Sequence, residues 1–495
     1  MSHRTAPARL RLRTQRSVLC TLLCLALLSG ACGPRRTPDL ARIFTAARER
    51  KGKPPLVVVP GILGSRLVNR KTGEVVWPVA FRSDTDGLGL PISPDLAANT
   101  DDLVAERIVE TARLAKLAPE VYVYNQLLDA LRAYGGYRDG DWQNPGPDGD
   151  HDTLYVFPYD WRRDNVETAR ALVRRLEELK TKLGRPDLRF NVIAHSMGGL
   201  VARYAARYGD ADLPAGDAEP QVTWAGARHI SKIFMFGTPN EGSADAFATL
   251  VHGYSVNEGL RPRLPLFKKI AREDSVTAPA IFQLLPHASA ARFLDADLAP
   301  LALDLYDPAT WRRYQWSPLG EPAYRARLAA GRARDENVPR PAVSEETIDA
   351  YLAAVLDRAR RFHHALDVVP DTPGPVPLYA FGGDCEETLA APVLLRDAKT
   401  GDWRTLTTPR ALRAGDGRTR PRAEVLRAMF EPGDGRVTRN SLLGTGLARQ
   451  RRSPLVDTPL PLVYTFFICD LHGHLQHNRT LQDNALTLLV NEATN

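Results

Sequence analysis

The sequence predicts an α/β fold, with a mostly parallel sheet flanked by helices and a largely helical insertion. Three observations lead there. From Pro54 onward, short apolar runs alternate with helical periodicity. One of those runs ends in a tight turn of small residues that opens a helix, and residues 244–376 break the alternation with few strand signals. The 495 residues, 44% hydrophobic and 25% charged, are enough for a large core and exclude disorder, collagen or coiled coil as the main architecture.

The strands are expected at Leu56–Val59, Leu154–Phe157, Phe190–Ala194, Ile233–Phe236, Leu378–Phe381 and Leu462–Ile468. Each run is nearly continuous in apolar residues, as strands buried on both faces should be. A helix is expected where Val166, Ala169, Leu172, Leu176, Leu179 and Leu183 recur at three- and four-residue steps. Asp164 or Asn165 is placed to cap its start and Gly184 to end it. The Gly/Pro/Asp-rich stretch Arg138–Asp152 has clustered carboxylates but no EF-hand spacing, and reads as a solvated loop. Within residues 244–376 the clearest element is a helix from Glu345 to Leu366, with Ile348, Leu352, Val355, Ala359 and Phe362 on one face. The expected order is a signal segment (1–31), a tether (32–53), a first core part (54–243), a cap (244–376) and a second core part (377–495).

The N-terminus carries Arg4, Arg9, Arg11, Arg13 and Arg16, then an apolar stretch from Val18 to Leu28, then Ser29-Gly30-Ala31-Cys32. A basic segment, a short apolar segment and small residues before a cleavage point make an export signal. The end of the stretch is similar to a bacterial lipobox, which implies acylation of Cys32 and a membrane-anchored lipoprotein, with simple secretion as the alternative. The five arginines also account for most of the charge. Without residues 1–31 the formal balance falls from +7 to +2, so the basic composition does not argue for nucleic acid.

The chemistry centres on Asn191-Val-Ile-Ala-His-Ser-Met-Gly-Gly-Leu200. A buried strand, a sharp turn at Ser196 and a following helix form the nucleophile elbow of α/β-hydrolases, with Ala194 in the place of the first glycine. The turn presents the serine hydroxyl at a helix N-terminus, where developing negative charge is favoured. In this fold the triad runs serine, acid, histidine along the chain. That order leaves His472, His474 and His477 for the base, with His472 preferred because it comes first after the last strand. Thr480 and Asp483 behind it read as the capping box of a final helix. For the acid, Asp384 directly follows a strand and Asp434 sits between glycines, and the residues alone leave both open. His195 points away from the serine and reads as a packing residue.

Several blocks together resemble the lecithin:cholesterol acyltransferase family in its bacterial form. These are Val57–Ser65 (VVVPGILGS), Phe157–Arg162 (FPYDWR), Ala194–Gly199, Phe236–Ser243 (FGTPNEGS), Gly433–Val437 (GDGRV) and the segment from His472 through Leu475 and Asn478. The resemblance implies Asp434 as the acid and the backbone amides of Leu63 and Met197 as oxyanion donors. The Met197 amide also follows from the elbow itself. It further implies a lipid ester as acyl donor, with water or an alcohol as acceptor. Asp160 and Arg162 read as a buried ion-paired corner around Trp161, with a role at the site as the alternative. Arg436 and Thr438 stand where the family carries Thr and Pro, and Val75–Phe81 falls where it carries a lipid-facing segment. That segment reads equally as an interfacial patch or a packed strand.

The expected chemistry is therefore acyl transfer through Ser196, His472 and Asp434, without metal or cofactor. A carboxylesterase on soluble esters, or a binding protein on a hydrolase scaffold, are the alternative readings. Cys385 and Cys469 each follow a strand at the sheet's carboxyl edge, and in an exported protein they are expected to form a disulfide.

Overall fold

The computed structural model describes residues 37–79, 87–113, 120–216, 218–254, 270–332, 341–370, 374–397, 399–415, 417–447 and 457–490. The signal segment and Cys32 lie outside these residues, as do Ala80 and Phe81.

Seven parallel strands form the central sheet: β1 (Leu56–Val59), β2 (Arg138–Asp139), β3 (Thr153–Val156), β4 (Phe190–His195), β5 (Ile230–Phe236), β6 (Leu378–Gly383) and β7 (Leu462–Ile468). Their spatial order is β7-β6-β5-β4-β1-β3-β2. The chain has the α/β-hydrolase fold. Alternate strand residues feed two apolar layers, which explains the unbroken apolar runs. Val57, Val59, Val192, Ala194, Ile233 and Met235 face one layer, with α2 (Asn165–Lys182) and α3 (Met197–Tyr208). Leu56, Val58, Ile193, Phe234 and Phe236 face the other, with α1 (Asn125–Ala133) and α6 (Arg479–Val490). β2 was not anticipated: it is two residues at the edge of the sheet, in the stretch read as a loop.

Helix starts follow local chemistry. The Asp164 side chain accepts from the amides of Val166 and Glu167 and so caps α2, and Gly184 takes φ +63° just past its end. At α6 the expected Thr480/Asp483 capping box does not form. Asn478 lies two residues upstream and accepts from the amides of Thr480 and Leu481, which starts the helix earlier.

Two further cores lie outside the sheet. The cap packs α4 (Ala244–His252), the aromatic residues Phe282, Phe293, Trp311 and Trp316, and α5 (Glu345–Asp367) around one apolar cluster. The 23-residue α5 serves both cores: Ile348 to Ala359 fill the cap, and Phe362, Ala365 and Leu366 reach the hydrolase layer. The segment 386–433, expected to belong to the second core part, instead forms short antiparallel pairs apart from the main sheet. They have their own cluster of Leu389, Val393, Leu406, Val425 and Met429, and Leu394 N donates to Leu294 O of the cap segment. Its strands are four residues or fewer, and its one apolar run, Leu389–Leu395, is broken by Pro392, so the sequence signal was weak.

Candidate active site

The elbow is built by close contact. Ser196 sits between β4 and α3 at φ +51°, ψ −126°, a strained backbone for a non-glycine residue. Its amide donates to Phe236 O at 2.7 Å, which fixes the turn against β5. A side chain at Gly198 would come within 2.5 Å of Pro60 O, and one at Gly199 within 2.0 Å of Thr238 Oγ1. Only glycine lets α3 rise this close to the strands. Ser196 is 6% exposed.

His472 follows β7 and meets Asp434 through two contacts. Its Nδ1 lies 2.8 Å from Asp434 Oδ2, and its amide donates to Asp434 O at 2.8 Å. The other carboxylate oxygen, Oδ1, accepts from the amides of Arg436 (3.0 Å) and Val437 (2.7 Å). Both Asp434 and His472 are buried. Gly435 makes the loop possible, with φ +90° and its amide on Thr388 Oγ1. Asp384 is not part of this arrangement; it is one-third exposed and lies 3.7 Å from Arg439. His474 is exposed and pairs with Asp470, and His477 Nε2 is turned to Val123 O.

The Cys385 and Cys469 sulfurs are bonded, with Cα atoms 5.1 Å apart. Cys385 precedes the strand Glu386–Leu389, which pairs with Phe430–Gly433, and Cys469 lies three residues before His472. The disulfide thus ties the segment that delivers Asp434 to the loop that delivers His472.

The turn Gly61–Gly64 lies against the elbow, and its polar groups are held from several sides. Gly64 N donates to Gly61 O (3.0 Å), Trp77 Nε1 to Leu63 O (2.8 Å), Tyr159 Oη to Pro60 O (2.7 Å) and Gly61 N to Tyr124 Oη (2.9 Å). Leu63 takes φ +63°. Tyr159 and Trp77 were not singled out for this role by sequence reasoning. The FPYDWR block does carry the signal, since Tyr159 belongs to it. Trp77 lies on the short strand Val75–Trp77 of a three-stranded antiparallel sheet. Asp160, Asp101 and the Leu88 carbonyl surround the buried Arg162 guanidinium, so this block builds a corner.

His195 is more than packing. Its Nδ1 lies 2.9 Å from Tyr124 Oη and its Nε2 3.2 Å from the His472 carbonyl oxygen. Burial holds its imidazole well below the usual histidine range, with the neighbouring His472 adding to the effect, so it stays neutral.

Ser196 and His472 open on a cavity of about 410 Å³. Ile62, Leu63, Trp77, Trp161, Ile281 and Leu284 give it an apolar wall, and Arg436 with Asp245 a polar end. The Arg436 guanidinium also lies over the Tyr254 ring at 4.7 Å. Among the described residues no group of three or more His, Cys, Asp or Glu side chains is placed to hold a metal ion.

The chain thus combines an α/β-hydrolase fold with Ser196 and His472 on one cavity and Asp434 bonded to His472. Residues 109–317 match the lecithin:cholesterol acyltransferase family. The matched stretch contains the FPYDWR, elbow and FGTPNEGS blocks, while Gly61–Gly64, Asp434 and His472 lie outside it. Among solved structures, a chain of the Tle4–Tli4 complex is similar in fold at TM-score 0.50 and 14% identity, over 88% of this chain and 96% of that one. Bacillus licheniformis lipase BlEst2 in mature form gives TM-score 0.28 and 13% identity over 89% and 93%. EstA from Clostridium botulinum gives 0.30 and 12% over 93% and 91%. No curated protein matches the chain.

Proposed function

We propose that the protein is a serine-dependent lipid acyl hydrolase or acyltransferase. The observation that carries the reading is the junction of three features. A serine stands on a strained elbow, a buried histidine is held by a buried aspartate at 2.8 Å, and both line one largely apolar cavity. The family match over residues 109–317 supports a lipid ester as substrate.

In this mechanism Asp434 holds His472 through Nδ1, leaving Nε2 as the basic nitrogen. His472 takes the Ser196 hydroxyl proton as the oxygen attacks the ester carbonyl. The Leu63 and Met197 amides hold the oxyanion. Collapse expels the alcohol, which takes the proton from His472, and leaves an acyl-serine. Water or an alcohol then gives up a proton to His472, attacks the acyl-serine and releases acid or a new ester, restoring the serine. The apolar wall provides a place for the acyl chain. The export signal and the cysteine at position 32 support delivery to a membrane through an acylated Cys32. No described helix is long and apolar enough to cross one.

Incubation with acyl-labelled phospholipid, with and without an alcohol acceptor, tests the reading. Free labelled acid, or labelled ester when the alcohol is present, is expected from the protein and not from Ser196→Ala. Activity on soluble esters that does not rise with lipid aggregates would move the assignment to a carboxylesterase. A fluorophosphonate that fails to label Ser196 would remove the enzyme reading altogether. Metabolic labelling with a fatty-acid analogue, lost in Cys32→Ser, tests the anchor.

A further inference from the structure

We propose that Tyr124 and His195 form a positioning relay that locks the oxyanion turn to the base loop. This inference rests on the acyl-transfer reading and assigns to that site two residues that do not touch the reacting atoms.

The relay is a single line of hydrogen bonds across four distant segments. Gly61 follows β1, Tyr124 precedes α1, His195 ends β4 and His472 follows β7. The bonds measure 2.9 Å from Gly61 N to Tyr124 Oη, 2.9 Å from Tyr124 Oη to His195 Nδ1, and 3.2 Å from His195 Nε2 to His472 O. Their polarity is forced from both ends. An amide can only donate, so Gly61 uses a lone pair of the tyrosine oxygen. A carbonyl can only accept, so His195 carries its hydrogen on Nε2. A neutral imidazole so protonated presents Nδ1 as an acceptor, and the tyrosine hydrogen goes there. One arrangement satisfies every member of the line.

All the side chains involved are buried, with Tyr124 only 1% exposed, so breaking the line strands polar groups away from water. Steric contact reinforces it. A side chain at Gly61 would reach Ser196 Cβ at 2.8 Å and His195 Nδ1 at 3.1 Å, and one at Gly237 would reach the His472 ring at 2.9 Å. His472 is consequently held at three points: its amide and Nδ1 by Asp434, and its carbonyl by His195. The Asp434 contacts alone leave the His472 ring referenced to the C-terminal half of the chain. The relay references it to the turn that carries the Leu63 amide, and small misplacements between base and oxyanion donor are costly in rate.

The test compares Tyr124→Phe, His195→Asn and His195→Gln on a short soluble ester, with thermal stability measured alongside. The glutamine amide nitrogen reaches the place of the imidazole Nε2 and keeps the bond to the His472 carbonyl; asparagine does not. For Tyr124→Phe and His195→Asn, kcat is expected to fall roughly 10- to 100-fold with KM within about threefold. His195→Gln, which keeps the His472 bond but offers no acceptor at the Nδ1 position, is expected to fall between His195→Asn and the wild type. Nitrogen-15 NMR of the wild-type protein should show His195 as the neutral Nε2–H tautomer. Folded Tyr124→Phe and His195→Asn proteins with kcat within about twofold of wild type would overturn the proposal. So would an Nδ1–H tautomer in the wild type, which needs no variant to fold. If the wild type is not labelled by a fluorophosphonate, the acyl-transfer reading fails instead, and the tautomer measurement still judges the bonding.

Discussion

The two sides of the site are built on different physical principles. On the elbow side, position comes from steric exclusion: Gly198 and Gly199 let α3 approach within contact of Pro60 and Thr238, and Ser196 has no room to relax from φ +51°. On the acid–base side contact contributes too, since a side chain at Gly237 or Gly383 would come within 2.9 Å of His472 or Asp434, but bonds supply the rest of the placement. Asp434 and His472 lie on loops 38 residues apart in sequence. Those loops are held by a short antiparallel pair, backbone amides on a carboxylate, and the Cys385–Cys469 disulfide. A site half carved by contact and half tied by bonds should fail in two distinguishable ways.

The largest expected effect tests the tied side at its centre. Asp434→Asn should lower kcat on a soluble ester by about 10⁴, because the asparagine amide can impose the wrong tautomer on His472. Asp384→Asn, at a carboxylate that faces Arg439, should stay within about twofold. The reverse result would move the acid to Asp384. Next comes the tie itself. The disulfide closes a span of 84 residues, and loop entropy puts its removal at up to ~4.5 kcal/mol. Cys385→Ser with Cys469→Ser should lose stability, and in a urea titration its activity should decline at lower denaturant than the global transition. Coincident curves would mean the disulfide supports the whole fold and not the acid–base loops in particular.

The carved side gives a smaller effect of another kind. Gly199→Ala places a methyl group 2.0 Å from Thr238 Oγ1. Overpacking of that sort costs about 1–3 kcal/mol. Pairing it with Thr238→Ala should recover part of the loss, since Oγ1 and Cγ2 are removed while the Thr238 Cβ remains at 2.8 Å. A double variant no better than Gly199→Ala alone would show that the elbow is held elsewhere.

The same division decided what could be read from the sequence. The elbow and the strands are written locally: a run of apolar residues, a serine among small residues and a helix period occupy adjacent positions, and each is a direct consequence of packing. His472 could be narrowed by chain order, but Asp384 and Asp434 were equal on residue chemistry. The difference between them is tertiary, set by Gly435 and by Thr388 receiving its amide. His195 shows the limit most plainly. Its place beside the serine suggested packing, yet its partners are Tyr124 and His472, 71 and 277 residues away, and no local pattern announces them. The antiparallel segment 386–433 was missed for the related reason that its one apolar run, Leu389–Leu395, spans a proline and is divided between two short strands.

The smallest expected effect is one histidine's share of the pH dependence of stability. Burial holds the imidazoles of His195 and His363 well below the usual range, and burial with the nearby Lys180 pushes His229 down to about 4. In the unfolded chain these groups titrate near 6.5. Below that pH the unfolded state binds protons that the folded state refuses, so stability is fully present above about pH 6.5 and falls as pH drops. Each such histidine contributes a slope of up to roughly 1.4 kcal/mol per pH unit until its folded value is reached. Glu241 works in the opposite sense, because burial pushes its carboxyl up and the folded state gains a proton there as pH falls. Its offset acts above the ordinary carboxylate range, where only the folded state holds the proton. In the window from pH 6.5 to 5.5 it therefore subtracts from the histidine slope, and the fall in stability is read net of it. Urea midpoints measured across that window should fall, and His195→Gln, which cannot titrate, should remove about one histidine's share of the slope while keeping the bond to His472. A flat profile in the wild type would mean that these rings take up protons in the folded protein. The neutral His195 on which the relay's polarity depends would then be the first assignment to go.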